Sequence, residues 1–502
     1  MAQLHDILQV RPNLILDTPA QEARAKLIVD TKKDAVALSI YLLQDNPGLI
    51  KCETNLYLYN GKCYDLIDTD RLLKMIHEFI INYGITSAWS RRNDIVQSVL
   101  SYSGLKNIEK MNDYDDLMCL NNGILDIKTQ AIIPHSPDYY FDSLINVDFD
   151  ATTKFNCPSF ISYLEHTFNA NKDTISNIIM LGGYLLDSSC KANKMFLFNG
   201  CGSNGKSVLI DTFSMFFTDT SVNPQVTALS LEELSADGFK KYNLITSRFN
   251  QCAEGKKGYI DSEEIKKIVS GELISVRGIY KDTITFRPKT KIIAAFNGLS
   301  KFTDSSEGIM RRIIIFNFEN QYRTNEELKL INHAEQKHIF LQDLDLPDKI
   351  KSEKSAILNL FLSGLIMLRE RKYQFIVGED YTKAINNYRK DSDTVNEFLE
   401  ENYEIDEKAE TALAEIYGHY RIWYRSNVQD SSNMKFRASE MGRRIKEVFG
   451  LERRGQRKIY NNETMNYEHL SVYGLKRIII TPPDDFTGNA VEEKAPQGEL
   501  GI

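Results

Sequence analysis

The chain has 502 residues, 42% of them hydrophobic and 26% charged, with 12 prolines and a net charge of −8. Seven scattered cysteines without a C-x-x-C, and eight histidines without an H-E-x-x-H, argue against a disulfide framework and a transition-metal site. The first residues, "MAQLHDILQV", lack the layout of a signal peptide, and the longest apolar run, 356–368, is too short to span a bilayer. The expectation is a soluble cytoplasmic protein of roughly three domains with no membrane partner.

In chain order, residues 1–150 mix amphipathic helix patterns (22–44 and 70–83) with short strands. In "NLYLYNGKCYDLI" the pair Asn60-Gly61 marks a hairpin turn. This is expected to be an N-terminal α+β domain, followed by a helical connector over 151–186. Over 187–345 short apolar strands alternate with helices, as in a three-layer α/β core. A helical segment over 346–400 runs into an acidic stretch, 391–410, which reads as a linker or solvated helix. A small domain fills 401–480, and the tail 481–502 has a disordered composition.

Charge is distributed unevenly along this plan. Residues 111–150 carry eight Asp against one Lys, whereas 431–460 carry nine Lys/Arg against three Glu. A basic block in an acidic chain fits a polyanion partner, and equally fits a solvated charged face.

The segment "MFLFNGCGSNGKS" joins a buried strand to a G-x-x-x-x-G-K-[ST] loop running from Gly200 to Ser207. Gly200, Gly202, Ser203, Asn204, Gly205, Lys206, Ser207 and Val208 are the candidate nucleotide-binding residues. Glycines let the backbone amides turn inward, and the following helix begins with its positive end at the phosphates. Lys206 would bridge the β- and γ-phosphates of ATP, and the Ser207 hydroxyl would ligate Mg²⁺.

Hydrolysis needs an acid beyond a neighbouring strand. "LITSRFNQCAE" ends on Glu254, and "YIDSEE" offers Asp261, Glu263 and Glu264. In the second, Asp261 reads as a helix cap with Glu264 three residues on, as in a capping box. Glu254 is therefore the choice for catalysis and, with Ser207, for the metal. "KIIAAFNG" ends a strand on Asn297, suited to orienting a water, although Asn-Gly also serves as a plain turn. "GIMRRIIIFNF" sets Arg311 and Arg312 before another apolar strand, where neighbouring residues point to opposite faces and one can leave the subunit.

The order of these pieces resembles the superfamily 3 helicases, in particular the poxvirus- and phage-type primase-helicase branch without its primase. "LMCLNNGILDIKTQAIIPHSPDYYF" (117–141) and "YEHLSVYGLKR" (467–477) extend the similarity outward, so that it covers most of 115–480. The resemblance implies an AAA+-type P-loop three-layer core at 187–345 and a winged-helix domain at 401–480. It implies a homo-hexameric ring that uses ATP and Mg²⁺ to move along single-stranded DNA. It also makes Lys206, Glu254, Asn297 and Arg312 the catalytic set, with Arg312 as arginine finger. The family's DNA-contacting hairpin falls on "ISVRGIYKDTITF", with Lys281 at its tip touching phosphate.

In the C-terminal part, 431–450 reads as a helix with Met441, Ile445, Val448 and Phe449 on one face and Arg443, Arg444 and Lys446 away from it. A basic β-ribbon follows, with Arg453, Arg454, Arg457 and Lys458 as wing contacts. A protein-docking module of the same shape remains the alternative. Together these readings imply a replicative helicase of a phage, virus or mobile element, acting on single-stranded and forked DNA beside a separate primase or polymerase. An origin-binding initiator with ATP as an assembly switch is the alternative, and a small-molecule P-loop kinase ranks last.

Overall fold

The computed structural model describes residues 35–53, 55–82, 91–102, 104–217, 224–236, 238–252, 259–278, 283–296, 301–302, 307–330, 338–391, 393–406, 408–427, 436–453, 455–461 and 466–477. The described chain begins with an α+β module. Strands β1 (Leu49–Cys52), β2 (Asn55–Tyr59), β3 (Tyr64–Ile67) and β4 (Lys106–Ile108) form a sheet in the order β3-β2-β1-β4. Between β2 and β3 the turn at Asn60 holds Gly61 at φ +99°. Helices α1 (Ala35–Asp45), α2 (Thr69–Asn82) and α3 (Arg92–Ser101) cover one face, and Leu38, Leu42, Ile76, Phe79 and Val99 join Leu49 and Leu56 in its core. Residues 22–34 of the first helical pattern lie outside the described residues. A three-stranded meander follows: β5 (Leu117–Leu120), β6 (Gly123–Asp126) and β7 (Ala131–Ile133).

Two helices, α4 (Pro158–Thr167) and α5 (Lys172–Leu186), lead into the central sheet. Its strands are β8 (Met195–Asn199), β9 (Val226–Thr227), β10 (Phe249–Cys252), β14 (Lys291–Phe296) and β16 (Ile313–Asn317). They lie in the order β16-β8-β14-β10-β9, and every pairing is parallel. Alternation along β8 divides the core into two layers. Phe196 and Phe198 face a layer built with α5, α6 (Lys206–Ser214) and a long helix, Lys354–Glu370; Met195 and Leu197 face the other, with α7 (Leu231–Ser235) and α8 (Glu263–Ser270).

The remaining strands of this unit are the pair β11 (Tyr259–Ile260) with β15 (Lys301–Phe302), the antiparallel hairpin β12 (Ile274–Arg277) with β13 (Thr283–Phe286), and the ribbon β17 (Gln321–Arg323) with β18 (Ile339–Leu341). Its later helices are α9 (Glu307–Met310), α10 (Asn325–Leu330), α11 (Leu346–Ser352), α12 (Lys354–Glu370) and α13 (Glu379–Asp391). Helix α12 contains the longest apolar run and crosses α5 closely: a Cβ on Gly183 would stand 2.4 Å from Leu365 N and Phe361 O. Only a residue without a side chain fits there.

The chain divides into the units Met1–Arg389 and Lys390–Ile502. In the second, α14 (Thr394–Asn402), α15 (Leu413–Asn427) and α16 (Ala438–Phe449) accompany the sheet β20-β22-β21 (Thr411–Ala412, Asn466–Tyr473 and Gly455–Asn461) and the pair β19 (Tyr403–Ile405) with β23 (Leu475–Arg477). The acidic stretch expected as a linker or solvated helix is instead partly core. Val395, Phe398 and Leu399 of α14 are buried, and its acids occupy the outer face. Among the described residues no helix is long and apolar enough to cross a membrane. The tail 481–502 lies outside the described residues.

Candidate functional site

The loop after β8 turns back tightly on itself. Gly205 takes φ +88° and Ser203 φ 57°, the left-handed values that aim successive N–H groups to one side. Gly200 is required by close approach, since a Cβ there would lie 2.2 Å from Asn204 Nδ2 and 2.5 Å from Phe318 O. The buried Asn204 donates to Phe318 O at 3.4 Å, and Tyr163 of α4 donates its phenol proton to Gly205 O at 2.9 Å. Burial holds the Tyr163 phenol far above its ordinary pKa, so it remains a neutral donor.

Helix α6 starts at Lys206. The Lys206 ammonium lies against the loop, donating to Gly200 O at 2.5 Å and Cys201 O at 3.4 Å. Ser207 is exposed at the mouth. Residues Gly202 to Val208 line a cleft of about 890 Å³, and Gly200 lies beneath them. A left-handed loop, an ammonium and a hydroxyl at a helix start are the groups that a polyphosphate and one hydrated cation would need.

One strand end meets this loop and a second lies one strand further out. Gly200 N donates to Phe296 O at 3.3 Å, so β14 arrives beside the loop immediately before Asn297. Strand β10 ends at Cys252, two residues before Glu254, and pairs with β14 through Cys252↔Ala294. Asn297 and Glu254 themselves lie outside the described residues. The polar character of β10 has a tertiary cause. Buried Asn250 accepts from Thr227 Oγ1 at 2.8 Å and Leu229 N at 2.9 Å, and donates to Leu229 O at 2.8 Å, which ties β10 to β9.

The expected capping box at 261–264 is not formed. Asp261 accepts from Glu263 N at 3.0 Å, but Glu264 turns away to Lys241 Nζ at 3.1 Å and Lys267 Nζ at 2.7 Å. The buried Lys241 side chain needs a counter-charge, and that demand outweighs the cap.

The two arginines differ sharply. Arg312 is half-buried and donates to Ser270 Oγ at 3.1 and 3.3 Å and to Gly308 O at 2.5 Å. Arg311 is exposed, and its side chain has no hydrogen bond or ion pair among the described residues. Lys194 donates to the Arg311 carbonyl. Burial first, then Arg311 and Arg312, push the Lys194 pKa down, which shows three cations gathered where β8 and β16 begin.

The hairpin β12–β13 buries Ile274, Val276 and Phe286 and exposes Ser275 and Arg277; the Ser275 and Thr285 hydroxyls share a 2.9 Å hydrogen bond. Lys281 lies outside the described residues. Packed on β12 is the 3₁₀ helix Phe239–Ile245, whose Phe239 is 55% exposed. Sequence reasoning missed Phe239, for which nothing in the chain pattern is a signal.

In the second unit, Arg444 is held by Asp393 and Glu447, and Lys446 pairs with Glu452 at 2.6 Å. Arg443 stands 3.7 Å from Glu447 and is exposed, as is Arg453. Arg457 and Lys458 sit on β21 opposite Leu470 and His469, without described side chains, and Arg454 lies outside the described residues.

Comparison with known proteins gives partial matches. Residues 198–312 match a family of unknown function, DUF5906, and 57–169 match a family described as D5 N terminal like. A protein of Acanthamoeba polyphaga mimivirus named as a "putative helicase" is 24% identical over 336 residues, which is 64% of this chain and 34% of that protein. The chain thus spans about a third of the length of that relative. Ligand-free structures of the NrS-1 C-terminal region align with 88% of this chain and all of theirs, at 10% identity and TM-scores of 0.44 and 0.43. The chain is similar, over most of its length, to a viral helicase-type protein.

Proposed function

We propose that this chain is an ATP-dependent DNA helicase of a viral, phage or mobile-element replication system, of superfamily 3 and AAA+ type, working as a homo-hexameric ring. The observation that carries this reading is the phosphate cradle at the C-terminal end of β8, with Lys194, Arg311 and Arg312 at the opposite end of the same sheet. A nucleotide held at one end cannot be reached by its own subunit's cations at the other. A second copy of the chain, stacked edge to edge, can supply them.

In this reading the loop amides and Lys206 hold the β- and γ-phosphates, the ammonium leaving the Gly200 and Cys201 carbonyls for phosphate oxygens. Mg²⁺, when bound by Ser207 and Glu254, would neutralise developing charge on the phosphates. Asn297, carried in beside the loop by β14, would orient the attacking water. Arg311 would enter the neighbour's site, and Arg312, fixed to Ser270 and Gly308, would position it. The hairpin with Lys281 and Arg277, and Phe239 beside it, would grip single-stranded DNA by phosphate contact and base stacking.

The second unit would act as a winged helix that binds duplex. Arg443, Arg453, Arg457 and Lys458 suit that role better than Arg444 or Lys446, whose charges are already matched within the unit. A separate primase or polymerase would complete the replication machinery. The test is ATP turnover stimulated by single-stranded DNA and abolished in Lys206→Ala, with strand displacement on a forked duplex. Ring assembly with ATP but no displacement would instead favour an initiator that uses ATP as a switch.

A further inference from the structure

Beside the phosphate loop, the cleft has an aromatic wall that includes His166, Tyr322 and Phe340. Ribbon β17–β18 is tied to the phosphate loop by Tyr322 N donating to Ser203 O at 2.7 Å. Tyr322 and Phe340 are register partners on this ribbon. His166 of α4 packs edge-on to Phe340, with centroids 4.3 Å apart, and shares a 3.0 Å hydrogen bond with the Tyr322 hydroxyl. Buried Asn320 locks the arrangement, donating to His166 O at 2.6 Å and sharing a 3.0 Å bond with His338 Nδ1. Rigidly backed in this way, Phe340 is still 37% exposed, and Leu341 and Leu344 are 54% and 74% exposed on the same cleft.

The geometry points to Phe340 as the platform on which the nucleobase stacks, with His166 and Tyr322 fixing the ring from behind. This rests on the nucleotide reading proposed above and adds how the base is recognised. An aromatic ring next to a phosphate cradle gains nothing from a bare polyphosphate, because stacking needs a π-face on the ligand. Base-edge reading would be weak. Gln342 presents both a donor and an acceptor and can serve adenine or guanine, while the Asp343 carboxylate is engaged by Lys349 Nζ at 2.7 Å and Asp345 N at 3.0 Å. Purines, with the larger ring area, would be preferred to pyrimidines, and ATP and GTP would be treated alike.

The experiment compares binding of ATP and inorganic tripolyphosphate to the full chain and to Phe340→Ala and Phe340→Trp. Loss of one stacked base predicts ATP affinity falling by roughly ten- to a hundredfold in Phe340→Ala, with tripolyphosphate unchanged. Phe340→Trp should retain ATP binding, and its indole fluorescence should be quenched by ATP and not by tripolyphosphate. If both ligands weaken together, or neither does, the platform is refuted while the cradle stands. If the unmodified chain binds neither ligand, the nucleotide reading and the platform fall together.

Discussion

Replacing Arg311 by alanine tests whether the nucleotide site is completed by a second subunit. Strand β8 has five residues, and at about 3.3 Å per residue in a parallel strand it separates the cradle from the cation cluster by about 16 Å. Side chains at the start of the strand therefore cannot touch a γ-phosphate held at its end. If Arg311 acts in the neighbour's site, Arg311→Ala should lower kcat on the order of 10³–10⁵-fold, the range of an arginine that stabilises transferring phosphoryl charge. Its exposed side chain has no described partner, so the melting temperature should not move. Arg312→Ala should lower it, because three hydrogen bonds to Ser270 and Gly308 are lost, a cost of about 1–3 kcal/mol. The assay is DNA-stimulated phosphate release, first from each variant and then from mixtures of Arg311→Ala with Lys206→Ala subunits. Mixed junctions that pair an intact cradle with an intact arginine should recover turnover. Full turnover by Arg311→Ala alone, or no recovery at any mixing ratio, would refute the composite site.

Two further outcomes concern what fixes the sheet. Burial pulls the Lys291 ammonium down from 10.5 to about 8; the folded chain then releases this proton between those values while the unfolded chain keeps it, so stability should rise with pH across that window by about 3 kcal/mol. Denaturant titrations at pH 7 to 10.5 should show that slope in the wild type and lose it in Lys291→Met. Asn250→Leu strands the Leu229 N–H and carbonyl without partners inside the core and should cost about 2–6 kcal/mol, seen as a lower denaturation midpoint.

The tight glycine loop between β8 and α6 could be read from the sequence because it is contiguous: strand, glycines, Lys206 and Ser207 follow one another directly from Met195 to Ser207, and local backbone geometry does the rest. The alternation of apolar strands and helices likewise announced the layered sheet. The aromatic wall of the cleft could not be read this way. His166 lies 156 residues before Tyr322 in the chain, and it meets Tyr322 and Phe340 only because β17 pairs with β18 and α4 packs against that ribbon. The role of buried Asn250 has no local signal, because its partners, Thr227 and Leu229, belong to a different strand region. The arginine pair was ambiguous by sequence, since alternation says that one points outward without saying which. The resemblance favours Arg312, whereas exposure favours Arg311. In 391–410 the acids dominated the composition and hid the three apolar positions that make α14 part of a core.

The sheet is held unequally at its two ends, and that asymmetry bears on how phosphate chemistry could drive motion. The N-terminal ends of its strands are pinned to neighbouring elements. Arg248, just before β10, donates to Ser143 Oγ at 3.1 Å; Lys289, just before β14, donates to Asp142 at 2.8 Å; Lys291 donates to Asp187 O. Burial acts to raise the pKa of Asp142, yet Lys289 and Arg248 outweigh it and hold the carboxyl well below the usual range, so the Asp142 carboxylate stays charged at neutral pH. The C-terminal ends carry the cradle and lead into the segments bearing Glu254 and Asn297. The hairpin β12–β13 leads into β14 at the anchored end, where Thr290 donates to Leu244 O at 3.4 Å and Ser247 O at 3.0 Å. In the proposed reading, loss of the γ-phosphate would be felt first at the C-terminal strand ends, and would reach the hairpin only through β14 and its charged anchors.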